Sequence, residues 1–123
     1  MNSMQLNIPG EKASYLPGDA VRVEAAWNLD AEPRAVNLRL FWYTQGKGTT
    51  DSVIVAEEAY VGPLASGKWN TSLAIPPDAI SSYTGRLLSV IWAVEIVAEK
   101  KLGFARREIV VSTTGAAIQP PPG

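Results

Sequence analysis

The sequence predicts an all-β fold, an immunoglobulin-like antiparallel β-sandwich of about seven strands. Apolar and polar residues alternate with a period of two along nearly the whole chain, and helical periodicity is hard to find. Most of the nine prolines and ten glycines fall between the alternating stretches, where they fix or free the backbone as the chain reverses. Short alternating strands separated by regular turn signals are typical of a two-sheet sandwich.

The first half of the chain contains three predicted strands. Residues 4–8 form a short opening strand that we expect at a sheet edge. Residues 20–29 and 35–44 carry an apolar side chain at every second position, which is the pattern of a strand buried on one face. The predicted inward side chains are Val21, Val23, Ala25, Trp27 and Leu29 in one strand and Val36, Leu38, Leu40 and Trp42 in the other.

Four further strands are predicted in the second half. Residues 52–61 are rich in β-formers but ambiguous in phase, because Glu57 and Glu58 would point to opposite faces, so we expect an edge strand or a β-bulge there. Residues 67–75, 86–98 and about 106–112 alternate, and one helical turn is predicted at residues 77–81. The predicted inward side chains are Trp69, Thr71, Leu73 and Ile75, then Leu88, Val90, Trp92, Val94 and Ile96, and finally Ile109 and Val111.

These strands assign residues 1–112 to a single β-sandwich domain. A chain of 123 residues has the length of one folding unit. Residues 113–123 have no core-forming period and end in Pro-Pro-Pro-Gly. They are therefore predicted to be a flexible, proline-rich tail outside the domain.

Composition excludes several kinds of chemistry. The chain contains no cysteine and no histidine, so disulfides, thiolate nucleophiles and imidazole metal ligands are ruled out, and we predict no cofactor and no bound metal. Eleven basic and twelve acidic side chains leave a net charge of −1, without the basic cluster that nucleic-acid binding requires. No stretch has the character of a secretory signal or a transmembrane segment, and we expect a cytoplasmic protein.

No catalytic residues are predicted. Glu57 and Glu58 cannot face one substrate if both lie in a strand, and Glu24 and Glu95 are single acids on outward faces. The glycine–lysine segment at residues 45–50 is similar to part of a phosphate-binding loop, but its glycine spacing fails and a strand is predicted to follow. We therefore expect a protein that is not an enzyme.

The four tryptophans allow two interpretations. Exposed tryptophan rings could stack on a sugar, which keeps a small-ligand or carbohydrate-binding module as the alternative function. However, Trp27, Trp42, Trp69 and Trp92 share a face with the aliphatic residues of their strands. This parity favours burial of the rings between the two sheets.

Five motifs, in their order along the chain, resemble one domain of the arrestin-like superfamily. They are Tyr15-Leu-Pro-Gly-Asp19, Leu40-Phe-Trp-Tyr-Thr-Gln-Gly-Lys-Gly48, Ile75-Pro-Pro-Asp78, Ser82-Tyr-Thr-Gly85 and Val90-Ile-Trp-Ala-Val-Glu-Ile96. The resemblance implies a single arrestin-type sandwich of the kind seen in bacterial relatives, and a non-enzymatic adaptor that binds other proteins. Known members have two sandwiches where this chain supplies one, so the resemblance implies the fold and not receptor binding.

One outward surface is a candidate protein-binding site. Its apolar side chains are Phe41 and Tyr43 on the third predicted strand and Leu87, Ile91, Ala93 and Val97 on the sixth. These two strands lie side by side in an immunoglobulin-type sandwich, which would merge the side chains into one patch. Because monomers rarely leave a large patch bare, we predict contact with a protein partner or with a second copy in a homodimer. The alternative is that the tail or the loop at residues 76–81 covers the patch.

Overall fold

The computed structural model describes residues 2–12, 14–46, 51–84, 88–99 and 103–112. Within these residues the chain forms strands in two antiparallel sheets, and no helix. The strands are β1 (Ser3–Asn7), β2 (Ala20–Asn28), β3 (Val36–Gly46), β4 (Ser52–Ala59), β5 (Ser66–Ala74), β6 (Tyr83–Thr84), β7 (Leu88–Ala98) and β8 (Gly103–Ile109). The predicted all-β sandwich is confirmed, with the two-residue β6 as an additional short strand.

The two sheets differ in size and share the buried interior. The smaller sheet has the order β1-β2-β5 and the larger one β4-β3-β7, with β6 and β8 both pairing with β7. Since β3 occupies one edge of β7, the two short partners lie along its other edge. The predicted neighbourhood of the third strand and the long strand is therefore confirmed.

The core contains most of the side chains that the alternation predicted. Alternate residues are buried along β2 from Val21 to Trp27, along β3 from Val36 to Leu40 and along β7 from Trp92 to Ala98. Trp92 is fully buried and donates its Nε1–H to the carbonyl of Ile80 at 2.9 Å, and Trp27 donates to the carbonyl of Leu64 at 2.9 Å. The other two tryptophans, Trp42 and Trp69, are half-buried and pack against the same core, so the prediction that all four rings belong to the interior is confirmed.

Strand β4 is both an edge strand and a bulged one, and this explains its ambiguous phase. Its register with β3 shifts between Leu40 and Phe41, whose partners are Ala56 and Ile54. The skipped residue, Val55, turns the strand, as an extra residue in a bulge does. Glu57 and Glu58 then point to opposite faces, as expected from their adjacency in a strand.

Two predictions of local structure are wrong. The last strand begins at Gly103 and ends at Ile109, earlier than predicted, because Gly103 already pairs with Ala98 of β7. Val111 instead forms a single bridge with Tyr15. The helical turn predicted at residues 77–81 is a tight turn in which the amide of Ala79 donates to the carbonyl of Pro76 at 3.1 Å. Leu87 and the tail at residues 113–123 lie outside the described residues.

Candidate interaction face

The candidate site lies on the outward surface of β4, β3, β7 and β8, which we call the outer face. The strand register arranges its side chains in rows that cross the strands. A charged row runs Glu57, Arg39, Glu95 and Arg106 from one edge of the sheet to the other. The rows on one side of it contain Ile54, Phe41, Ala93 and Glu108, then Ser52, Tyr43 and Ile91; the row on its other side contains Ala59, Asn37, Val97 and Phe104.

The charged row alternates in sign across four strands. Arg39 Nε lies 2.5 Å from an oxygen of Glu57, and an Arg106 amino group lies 3.4 Å from Glu95. Opposite charges side by side on neighbouring strands stabilise a sheet weakly, and exposed pairs contribute about 0–1 kcal/mol each. The row also divides the outer face, which is therefore not the continuous apolar patch that the sequence alone predicts.

Arg106 covers the aromatic part of the outer face. The rings of Phe41 and Tyr43 are stacked, with centroids 5.9 Å apart, and the Arg106 guanidinium lies 5.1 Å from the first and 5.8 Å from the second. Strand β7 separates β8 from β3, so the Arg106 side chain spans β7 to reach these rings, and the small Ala93 leaves room for it. Phe41 is consequently only 7% exposed although it points away from the core.

A shallow groove of about 320 Å³ opens on this part of the face. Its lining consists of Arg39, Phe41, Tyr43, Ser52, Ile54, Glu95 and Arg106. Two guanidinium groups and one carboxylate stand around aromatic and aliphatic side chains. Such a lining suits a side chain or small molecule with an apolar body and a polar end.

The structure brings five of the six predicted patch residues onto one face, and it buries two of them. Phe41 and Ala93 are buried, whereas Tyr43, Ile91 and Val97 are half-buried. Leu87, the sixth, lies outside the described residues. What the face offers to a partner is therefore less apolar at its centre than predicted.

The most exposed apolar side chains of the outer face were missed by sequence analysis. Ile54 is 53% exposed on β4 and Phe104 is 67% exposed on β8, at opposite edges of the face. The bulge hides the phase of Ile54, and Phe104 precedes the predicted start of its strand. Extending the parity of Arg106 back by two residues would have found Phe104.

The outward surface of the smaller sheet has a different character. Arg22, Glu24, Lys68, Asn70 and Ser72 are exposed on β2 and β5, so this surface is polar and typical of a solvated face. The described residues contain no group of three or more acidic side chains placed to hold a metal ion. Nor do they include any helix with the length and hydropathy of a membrane span.

Comparison with known proteins places the fold but not the function. No family model matches the sequence, and no curated protein matches it significantly. Among solved structures, superoxide reductase (neelaredoxin) from Ignicoccus hospitalis aligns at a TM-score of 0.44 and 14% identity over 89% of this chain and 80% of that one. A β-glucosidase from Listeria innocua aligns at 0.44 and 16% identity over 89% of this chain and 16% of that one. A TM-score of 0.44 does not establish that these two structures share the fold of this chain.

A stronger likeness is to Spo0M, the sporulation control protein from Bacillus subtilis. It aligns at a TM-score of 0.60 and 14% identity, over 89% of this chain and 49% of that one. The chain thus spans about half the length of that structure. At such low identity the likeness concerns the fold alone, and it supports the arrestin-like sandwich that the sequence motifs predicted.

Proposed function

We propose that this chain is a non-enzymatic protein-interaction domain whose outer face contacts a protein partner. The observation that carries the proposal is the placement of Ile54 and Phe104, two large and exposed apolar side chains, on either edge of that face. Tyr43, Ile91 and Val97 lie between them and are half-buried. Apolar side chains grouped on one surface and bordered by charges are typical of protein-binding sites.

The charges of the outer face support protein binding over catalysis or nucleic-acid binding. Arg39 and Arg106 are each paired with a glutamate, so the face presents no net basic field for a phosphate backbone. The two glutamates are held as partners of arginines and do not face one another, as a pair of catalytic carboxylates would have to. A cytoplasmic location belongs to the same proposal.

The burial of each side chain decides which substitutions can test this function. Phe41→Asp would bury a charge beneath Arg106, and loss of binding would then be confounded with loss of the fold. Ile54→Asp combined with Phe104→Asp places charges where the side chains are already exposed. Val61, which is 93% exposed and outside the outer face, offers Val61→Asp as the matched control.

The experiment compares affinity capture by the wild type, the double variant and the control, after circular dichroism has verified that all three are folded. We expect proteins retained by the wild type and by Val61→Asp to be lost from Ile54→Asp/Phe104→Asp. Equal recovery by all three proteins would contradict the proposal, because the outer face would then contribute nothing to binding.

A small-ligand site is the second candidate, and the groove of about 320 Å³ favours it. This volume lies at the lower end of the range for ligand pockets. A ligand with an aromatic body and a carboxylate would match Tyr43 and the two arginines. Thermal-shift screening of small aromatic acids, with Tyr43→Ala as the comparison, tests this function. Phe104 does not line the groove, so Phe104→Asp should affect protein binding and leave the binding of such a ligand unchanged.

A further inference from the structure

We propose that the partner of the outer face is a second copy of this chain. The two copies would be related by a two-fold axis that lies between the two docked faces, parallel to the strands and above the line where β3 pairs with β7. This inference rests on the proposed function and deepens it by naming the partner. The charged row carries it, since the order of its four charges is fixed by the strand register.

The charged row is complementary to itself under that rotation. A two-fold axis parallel to the strands reverses the order in which the strands face one another, so Glu57 faces Arg106 of the second copy. By the same rotation Arg39 faces Glu95 of the second copy. An alternating row with an even number of charges therefore meets opposite charges at every position, as a symmetric interface requires.

A different two-fold axis in the same plane does the opposite. An axis perpendicular to the strands, passing through the charged row, places each residue over its own copy. Glu57 would then face Glu57 and Arg39 would face Arg39, and like charges so juxtaposed are strongly unfavourable. The charge pattern thus favours the axis parallel to the strands over the perpendicular one.

The apolar rows agree with the same axis. Rotation about this axis does not move a row along the strands, so each row faces the same row of the second copy. In the row of Tyr43 and Ile91, Tyr43 therefore lies over Ile91 of the second copy. The row of Ala59, Asn37, Val97 and Phe104 also meets itself, with Phe104 over Ala59 and Val97 over Asn37 of the second copy. Ile54 lies at the rim opposite Glu108. An apolar contact thus lies on each side of the charges, Tyr43 with Ile91 on one side and Phe104 with Ala59 on the other.

Arg106 has to turn outward for the two copies to dock. Its contacts within the chain are weak ones, a 3.4 Å approach to Glu95 and cation–π contacts at 5.1 and 5.8 Å, and 42% of its side chain is exposed. Turning it towards Glu57 of the second copy exchanges one ion pair for another. The same movement uncovers the rings of Phe41 and Tyr43 for apolar contact.

The size of the face indicates a weak dimer. Four strands spaced about 4.8 Å apart, with roughly nine residues of about 3.3 Å each, give a face of about 600 Å² on each copy. Stable interfaces bury about 800 Å² on each partner. We therefore expect association that depends on concentration, in the range of micromolar dissociation constants or weaker.

A charge exchange tests the geometry. In Glu57→Arg and in Arg106→Glu, each homodimer would bring two like-charged pairs together, and we expect its dissociation constant to rise by at least about tenfold. When the two variants are mixed, Arg at position 57 of one faces Glu at position 106 of the other. The mixture should therefore recover wild-type affinity. The contacts within each chain are disturbed equally before and after mixing, so the recovery would report the contacts between the two chains. Sedimentation velocity over a range of concentrations measures all three.

The matched control is Arg107→Glu. Arg107 is the next residue of β8, it points away from the outer face, and it lies 3.3 Å from Glu11. We expect it to leave dimerisation unchanged, while circular dichroism verifies that each variant is folded.

Three results would overturn the dimer. They are a wild type that stays monomeric at about 1 mM, variants that dimerise as the wild type does, and a mixture that shows no recovery. None of them would remove the proposed function, which fails only if capture of a different protein is indifferent to Ile54→Asp/Phe104→Asp. The two failures are thereby separable.

Discussion

The indole ring of Trp27 lies against the backbone of Gly67, its partner across the β2–β5 pair. A Cβ atom at Gly67 would come within 2.8 Å of Cζ2 of that ring. The ring is held from its other side, since Tyr60 packs edge-on against it with centroids 4.7 Å apart and its Nε1–H is bonded to the carbonyl of Leu64. The absence of a side chain at Gly67 is therefore what allows this tryptophan to close the interior beside β5.

Gly67→Ala is expected to destabilise the domain by about 1–3 kcal/mol, because a methyl group in a filled site forces the ring or the strand to move. Equilibrium unfolding in urea measures the change. Gly103→Ala is the matched control: its methyl group would approach Met4 Sδ at 3.0 Å, and a flexible methionine end can yield. Equal losses in the two variants would contradict the explanation through Trp27.

The sequence was sufficient for the strands that are buried on one face. In β2 and β3 the period of two is uninterrupted, since burial of one face selects an apolar residue at every second position. The sequence did not predict which way side chains point where one extra residue shifts the strand register. The bulge opposite Leu40 and Phe41 shifts the phase of β4, and such a bulge leaves no alternation to read.

The outer face was predictable only in part, for a related reason. Parity placed Phe41, Tyr43 and Ile91 on it correctly because β3 and β7 are regular. The cover over the aromatic rings comes from Arg106, a residue far along the chain whose row is set by the pairing of β8 with β7. Contacts between residues so far apart in the sequence are set by the register of the paired strands. That register cannot be read directly from a single sequence.

The turn at residues 16–19 predicts an acid-sensitive contribution to stability. The amide of Asp19 donates to the carbonyl of Leu16 at 3.0 Å, while the Asp19 carboxylate accepts from the amide of Leu16 at 2.9 Å. The hydrogen bond that the Asp19 carboxylate accepts from the Leu16 amide, with a smaller effect of the nearby Lys12, holds the pKa of Asp19 below its ordinary value of 3.8. Gly18 supports the turn with a φ of 90°, a conformation suited to glycine.

A carboxylate whose pKa is depressed in the folded state stabilises the fold at pH values above its unfolded pKa. That stabilisation is lost as the pH falls below about 4 and through the folded pKa. Asp19→Asn should therefore lower the melting temperature at pH 7 and have less effect at pH 2.5. Asp78→Asn, the same change in another exposed turn, is the control, and thermal unfolding between these pH values measures both. An Asp19→Asn effect that is independent of pH would contradict the assignment.

Tryptophan fluorescence tests the alternative of a sugar-binding surface. Trp27 and Trp92 are buried and Trp42 and Trp69 are half-buried, so we expect a blue-shifted emission with partial quenching by acrylamide. Because all four rings pack within or against the core, simple sugars at millimolar concentration should leave the spectrum unchanged. A saturable change on adding a sugar, lost in Trp42→Phe or Trp69→Phe, would instead favour the carbohydrate-binding function.

A hydrogen bond links the two sheets where β4 and β5 approach each other. Thr71 Oγ1 donates to the Glu58 carboxylate at 2.9 Å, and both side chains are half-buried. Thr71→Val keeps the shape of the side chain but removes the donor, so we expect the free energy of unfolding to fall by about 1 kcal/mol.

Urea unfolding of Thr71→Val is to be compared with Ser72→Ala, the loss of an exposed hydroxyl on the next residue, which should change the free energy of unfolding by less than about 0.5 kcal/mol. Comparison of Glu58→Ala with Thr71→Val/Glu58→Ala isolates the pair, because the part of the valine effect that comes from the hydrogen bond should vanish once its acceptor has gone. Valine is the better strand former and carries more apolar surface. A Thr71→Val protein more stable than the wild type would therefore mean that the strand preference and apolar burial of valine outweigh this hydrogen bond in the stability of the domain.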